Sequence, residues 1–309
     1  MTRRRQGVLH CLLAAAGFGA MGILAKLAYG AGLGVTGLLL ARFALAGVLL
    51  WLLVAARRVA LRGLGRSLAL GLVLGGAGYA FEAGLFFAAL ERIDASLASL
   101  LLYAYPAFVT IGALLLGRGR PSAHRWFALA LASAGLVLVL GAGDGTADPL
   151  GVALALGSAV ACATYILGSE RLSRRLPPLA FAACVSTGAA LPFGAAAALG
   201  GGPTGLGALP AEGWLWIVAI AVVSTVIPIA AFFGGLARVG SSSASLLSTV
   251  EPPVTVVLAV LVFGEALGWP QVLGGALVLS GAVLVVEQLD AAEAGEAAPV
   301  ERRALQPSA

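Results

Sequence analysis

Ser241–Glu265 reads SSSASLLSTVEPPVTVVLAVLVFGE, small or apolar throughout except for Glu251 and the terminal Glu265. The stretch is long enough for one membrane-spanning helix, yet Glu251, Pro252 and Pro253 interrupt its middle. At about 1.5 Å per residue, Glu251 lies roughly 15 Å from Ser241, half of a ~30 Å hydrocarbon layer. An ionisable group at that depth is costly unless it faces a cavity, which makes it a functional-site candidate by default. Pro252 and Pro253 lack N–H groups, so the carbonyls of Ser248 and Thr249, four residues back, lose their helical partners. Bare carbonyls are not tolerated in lipid. Carboxylate and freed carbonyls therefore point to one polar place inside the bilayer.

The stretch has an internal counterpart. A shift of 146 residues lays Ala95–Leu101 (ASLASLL) on Ser241–Leu247 (SSSASLL), Tyr105-Pro106 on Glu251-Pro252, and Gly135 on Gly281. The alignment needs no gap across forty residues, so the chain reads as two copies of one unit.

Composition agrees with a membrane setting. The 309 residues are 60% hydrophobic and 11% charged, with a mean hydropathy of +1.01. A water-soluble globule is excluded by such numbers. The net charge of +5 would suit a nucleic-acid binder, but topology accounts for it better. Cys11, Cys162 and Cys184 fall inside apolar runs at no metal-like spacing and read as packing residues.

Ten spans can be marked: 7–29, 35–56, 67–90, 95–117, 123–141, 150–170, 178–199, 212–236, 241–264 and 270–289. With a cytoplasmic N-terminus, the inside segments hold arginines 3–5, 57, 58, 62, 66, 118, 120, 125, 171, 174, 175, 238, 302 and 303. That leaves Arg92 alone outside, with Lys26 and Arg42 inside spans. Such a bias fixes orientation, with both termini cytoplasmic. The expected architecture is an all-α polytopic membrane protein of ten transmembrane helices. Residues 1–6 form a basic cytoplasmic N-terminus, 7–141 a first repeat, 150–289 a second, and 290–309 a disordered cytoplasmic tail. Five spans per copy is an odd number, so the second copy inserts upside down, an inverted repeat with its site near the midplane. The five tryptophans, all close to predicted span ends, read as interfacial anchors.

The pairing of Leu85–Arg92 (LFFAALER) with Phe232–Arg238 (FFGGLAR), the run from Thr249-Val-Glu-Pro-Pro253 to Phe263-Gly264-Glu265, and Arg42 in Ala41-Arg-Phe-Ala44 carry a resemblance. Over residues 7–289 the chain resembles the drug/metabolite transporter superfamily, EamA type. The resemblance implies a ten-helix fold, a central cavity and alternating access, commonly exporting small metabolites or importing sugars. The first repeat carries Gly117-Arg-Gly-Arg-Pro121 where the second carries Gly264-Glu265, and many members have the acid in both.

Glu251 is the foremost cavity candidate, as a proton-coupling group or a ligand for a cationic substrate group; the bland alternative is a neutral structural acid. Glu82 and Arg42 lie at similar depth and form a candidate intramembrane pair, either locking helices or serving substrate. Tyr79, Tyr103, Tyr105 and Tyr165 are candidate amphipathic walls, Tyr105 foremost because it occupies Glu251's place in the other copy. Ser248, Thr249 and Thr225 join them. Pro106, Pro228, Pro252 and Pro253 are the helix breakers, Pro228 freeing the Ser224 carbonyl. Lys26 sits near a span end and reads as snorkelling. Gly71, Gly75 and Gly78 read as close helix contacts.

No phosphate loop, paired-Cys site or nucleophile motif is visible, so neither an enzyme, a metal site nor a cofactor is expected. The expected function is secondary transport of a small polar metabolite, an amino acid or related compound, across the inner membrane, through a cavity formed by spans 1, 3, 4, 6, 8 and 9. Protons are the candidate coupling ion, nucleic acid is no partner, and a monomer suffices. Two rivals stay open: a multidrug pump for lipophilic cations, and an intramembrane transferase.

Overall fold

The prolines of the quoted stretch sit where their missing N–H groups do no harm. α13 (Ser241–Leu247) ends in a 3-10 turn, Ser248–Val250, and α14 (Glu251–Phe263) starts afresh at Glu251, with Pro252 and Pro253 in its first turn. Those first-turn positions have no intrahelical acceptor for an N–H anyway. Gly240 (φ 80°) leads into α13 and Gly264 (φ 68°) closes α14, both in conformations that a side chain disfavours.

The computed structural model describes residues 2–93, 95–116, 123–140, 148–200 and 204–264, with scattered positions between 269 and 284. Among the described residues every regular element is helical. The chain begins with α1 (Arg3–Gly19) and α2 (Met21–Gly30), split by a turn at Ala20, followed by α3 (Val35–Ala56). α4 (Gly65–Val73) runs through a π-helical segment, Leu74–Tyr79, into α5 (Ala80–Leu90). After α6 (Ala95–Leu102) come α7 (Tyr105–Leu115), α8 (Ala123–Leu140), α9 (Pro149–Ser173) and α10 (Pro178–Ala198). α11 (Ala211–Ala221) joins α12 (Ile227–Val239) through a second π-helical segment, Val222–Val226.

Among the described residues, seven helical stretches are long and apolar enough to cross a membrane: Arg3–Gly30, Val35–Ala56, Gly65–Leu90, Pro149–Ser173, Pro178–Ala198, Ala211–Val239 and Ser243–Phe263. The protein is a multi-pass membrane protein. α6 and α7 are separated by a two-residue turn, and α8 contributes a shorter apolar run. Gly117–Pro121, residues 143–147, Glu265, much of the expected span 270–289 and the tail 290–309 lie outside the described residues.

Long contacts tie the two halves of the chain together: α3 lies along α10, α1 along α12, and α5 along α9. Small residues make this possible. A Cβ at Gly188 would collide with the Leu72 carbonyl, and one at Gly75 with the Val185 carbonyl, so α10 and the first π-helical segment touch backbone to backbone. Polar cross-links add direction: Trp51 Nε1 donates to Thr187 Oγ1 at 3.0 Å, and Thr255 Oγ1 donates to the Gly19 carbonyl at 2.9 Å. Trp51 thus makes a helix–helix contact in addition to lying near a span end. Ahead of α9, Asp148 accepts the Leu150 N–H and pairs with Arg92 at 3.0 Å. The Arg92 guanidinium holds that exposed carboxyl below its usual range.

Candidate functional site

The two helix breaks fall at equivalent positions. Shifting by 146 residues carries Tyr105 onto Glu251, and each is the first residue of the helix that restarts after a break, α7 and α14. Pro106 follows Tyr105 in α7 as Pro252 follows Glu251 in α14. The π-helical segments correspond as well, Leu74–Tyr79 mapping within two residues onto Val222–Val226. Tyr79 and Thr225 are equivalent under that shift. A break or a π turn disturbs the regular backbone ladder and re-aims side chains, and such turns recur at functional sites.

Tyr105 and Glu251 border one cavity of about 90 Å³. Its polar lining also includes Arg42 of α3, Tyr79 and Glu82 of the third span, Tyr165 of α9, and Ser248. Aromatic walls come from Phe86 and Phe87 of α5 and from their counterparts under the shift, Phe232 and Phe233 of α12. Phe18, Leu102, Cys162 and Ile166 close gaps between them.

Arg42 is completely buried. Its Nε donates to Thr225 Oγ1 at 2.7 Å and its Nη2 to the Tyr79 hydroxyl at 3.2 Å. The guanidinium carbon lies 4.6 Å from the Phe43 ring centre and 5.2 Å from that of Phe87, a cation–π arrangement. Thr225 in turn donates to the Ile220 carbonyl at 2.8 Å, occupying a backbone acceptor beside the π turn. Tyr79 stacks on Tyr165, centroids 5.3 Å apart, and meets Phe43 edge-on. Arg42 and Glu82 share the cavity without a direct ion pair between them.

Glu251 faces the same space, half-buried, beside a second aromatic pair. The rings of Tyr103 and Tyr105 stand 5.5 Å apart. Tyr105 donates to the Ser245 carbonyl at 3.5 Å, while the buried Tyr103 hydroxyl lies near Glu251 and completes no hydrogen bond.

The carbonyl accounting differs from the expectation drawn from the prolines. The tightened 3-10 turn lets the Glu251 N–H reach back to the Ser248 carbonyl, so that carbonyl is not bare. The hydroxyls of Ser248 and Thr249 are themselves turned back onto the carbonyls of Ala244 and Leu246, at 2.9 and 2.6 Å. From this break, Ser248 and Glu251 line the cavity.

Of the residues singled out from sequence, Glu251, Tyr105, Glu82, Arg42, Tyr79, Tyr165 and Ser248 line the cavity. Thr225 stands behind Arg42, and Tyr103 and Thr249 are buried behind the wall. Pro228 occupies the first turn of α12, next to the second π segment. The phenylalanines were missed as walls, although the pairing of Phe86-Phe87 with Phe232-Phe233 was visible. Cys162 was read as packing and also reaches the cavity. Among the described residues no cluster of His, Cys, Asp and Glu could hold a metal ion.

The EamA-like transporter family matches residues 5–141 and again 149–287, nearly the whole chain in two passes. The chain belongs to the EamA-like transporter family. A threonine/homoserine exporter, RhtA, of Escherichia coli K12 is 30% identical over 226 residues, covering 71% of this chain and 70% of that protein. An uncharacterized transporter of Archaeoglobus fulgidus is 28% identical over 64% of this chain and 70% of its own length. The uncharacterized transporter YcbK of Bacillus subtilis is 28% identical over 61% of this chain and 62% of its own length, so the match spans less than two thirds of that relative. In three dimensions this EamA-like transporter superposes on a solved crystal structure with a TM-score of 0.73, covering 91% of this chain and 96% of the other at 21% identity, which establishes a shared fold.

Proposed function

We propose that the protein is a secondary active transporter that moves small polar metabolites, amino acids or close relatives, out of the cell. In this reading two inverted five-helix repeats, ten spans in all with both termini cytoplasmic, rock around the cavity by alternating access. The observation that carries it is the cavity itself: one guanidinium and two carboxylates face a small, buried, aromatic-walled space lined by both halves of the chain. Charged groups inside a membrane bundle mark substrate and ion pathways. Helix breaks at equivalent places in the two halves are what an inverted-repeat transporter uses to build a midplane site. The name of the E. coli relative, threonine/homoserine exporter, supports the substrate class and the direction.

Glu251 serves as the proton-coupling group in this account, or as the partner of a substrate ammonium. A second reading, efflux of lipophilic cations, draws on the four phenylalanine walls beside two acids. Flux of radiolabelled threonine in proteoliposomes separates the two. Threonine counterflow that is unaffected by quaternary ammonium dyes supports metabolite transport; uptake of a labelled quaternary ammonium dye, with no threonine counterflow, supports the cation pump.

A further inference from the structure

The three nitrogens of Arg42 are unequally used. Nε and Nη2 donate to the hydroxyls of Thr225 and Tyr79, whereas Nη1 has no partner at all. A terminal guanidinium nitrogen carries two N–H donors, so both donors on Nη1 are idle inside a fully buried side chain. Each acceptor that Arg42 does have is neutral, and neither cavity acid closes an ion pair with it. Buried charges in proteins are ordinarily paired, and idle buried donors are few and call for an explanation. Here the charge is fixed between two phenylalanine faces with one nitrogen left over, in a side chain that lines the cavity.

We propose that Arg42 is the carboxylate anchor of the transported substrate. A guanidinium presents flat, fixed donors that match the two oxygens of a carboxylate. Nη1 has no partner and the second N–H of Nη2 is unused, and because Nη1 is itself buried, the cavity wall must shift for a carboxylate to reach it. Glu82 and Glu251 border the same cavity and offer the opposite charge to an ammonium group. A molecule bearing an ammonium and a carboxylate on one carbon satisfies both sides, so the substrate class is the zwitterionic amino acid. Amines and quaternary ammonium compounds leave Nη1 idle, and an amino acid amide offers it only a neutral carbonyl in place of a charged carboxylate, so all of them bind more weakly. Tyr79 and Thr225 are positioning residues. They occupy equivalent places in the two halves, each within or at the end of a π-helical segment, and hold the guanidinium from both sides. This inference rests on the transport reading given above and deepens it.

The test compares acids with their amides, which keep the side chain and ammonium but lose the carboxylate. Purified full-length protein is melted in detergent with L-threonine, L-homoserine, L-alanine or L-leucine, each beside its amide. At least one acid should raise the midpoint, with a half-saturating concentration at least about tenfold below that of its amide. Arg42→Gln should bring acid and amide within about threefold of each other, and Arg42→Lys should restore part of the gap. Where Arg42→Gln fails to fold, Tyr79→Phe serves instead: it keeps the charge, frees Nη2, and should narrow the gap between the half-saturating concentrations of the acid and its amide. An amide that stabilises as well as its acid overturns the anchor and leaves transport standing. No shift by any acid, with no threonine counterflow, overturns the anchor and the amino acid reading together.

Discussion

Arg42 Nε and Thr225 Oγ1 stand 2.7 Å apart although 183 residues separate them. The bond joins α3 to the π turn between α11 and α12, and with the Tyr79 contact it makes one buried cation the meeting point of three spans. Removing the acceptor leaves a charged donor without a partner.

Thr225→Val should therefore destabilise the protein by about 1–3 kcal/mol, the cost of orphaning a buried charged donor. Hydrogen bonds between membrane helices average only about 0.6 kcal/mol, and Tyr79→Phe, acting on the longer 3.2 Å bond, should fall near that value. Melting midpoints of the two variants check the order. A neutral Thr225→Val, or a Tyr79→Phe that is worse, contradicts the geometry.

Backbone contact between α10 and the third span sets a second expectation. Gly188→Ala should sharply reduce folded yield, because its new methyl meets the Leu72 carbonyl and the Gly76 backbone. Gly30→Ala, with nothing within 4 Å of the added carbon, should stay within about 0.5 kcal/mol of the parent. Monodispersity after detergent extraction distinguishes them.

Much of this was legible in the sequence because the signals were strong and local. Val35–Ala56 appears with the limits its apolar run marks. Glu251 with two prolines announced a break, and the internal match carried that break to Tyr105, where α7 begins. The π segments were not readable as such. Pro228 signalled a kink, but the first segment carries only a glycine-rich run, which says close packing and not an i+5 turn. Arg42 and Glu82 looked like a pair by depth along their spans. Depth does not give azimuth, and the guanidinium turned to two hydroxyls and two rings. The phenylalanine walls were hidden for the same reason: composition cannot tell a lipid-facing ring from a cavity-facing one.

Orientation is checked by labelling. In a background without Cys11, Cys162 and Cys184, cysteines at Gly30 and Gly207 should react with an impermeant thiol reagent applied from outside, while those at Arg62 and Arg174 should not. All four positions are exposed. The opposite pattern reverses the assignment of both termini to the cytoplasm.

Glu251, the acid that opens α14, borders the cavity together with Arg42 and Glu82. Glu251→Gln keeps shape and hydrogen bonding and removes titration. The decisive measurement is amino acid flux in proteoliposomes, with and without an imposed pH gradient, for the parent and this variant at equal folded protein. Gradient-driven accumulation should vanish in the variant. Exchange at equal pH should persist if the acid carries the coupled proton, and be lost together with binding if the acid holds the substrate ammonium. Accumulation and affinity unchanged from the parent would reduce Glu251 to a structural acid and contradict the placement of the transport site in this cavity.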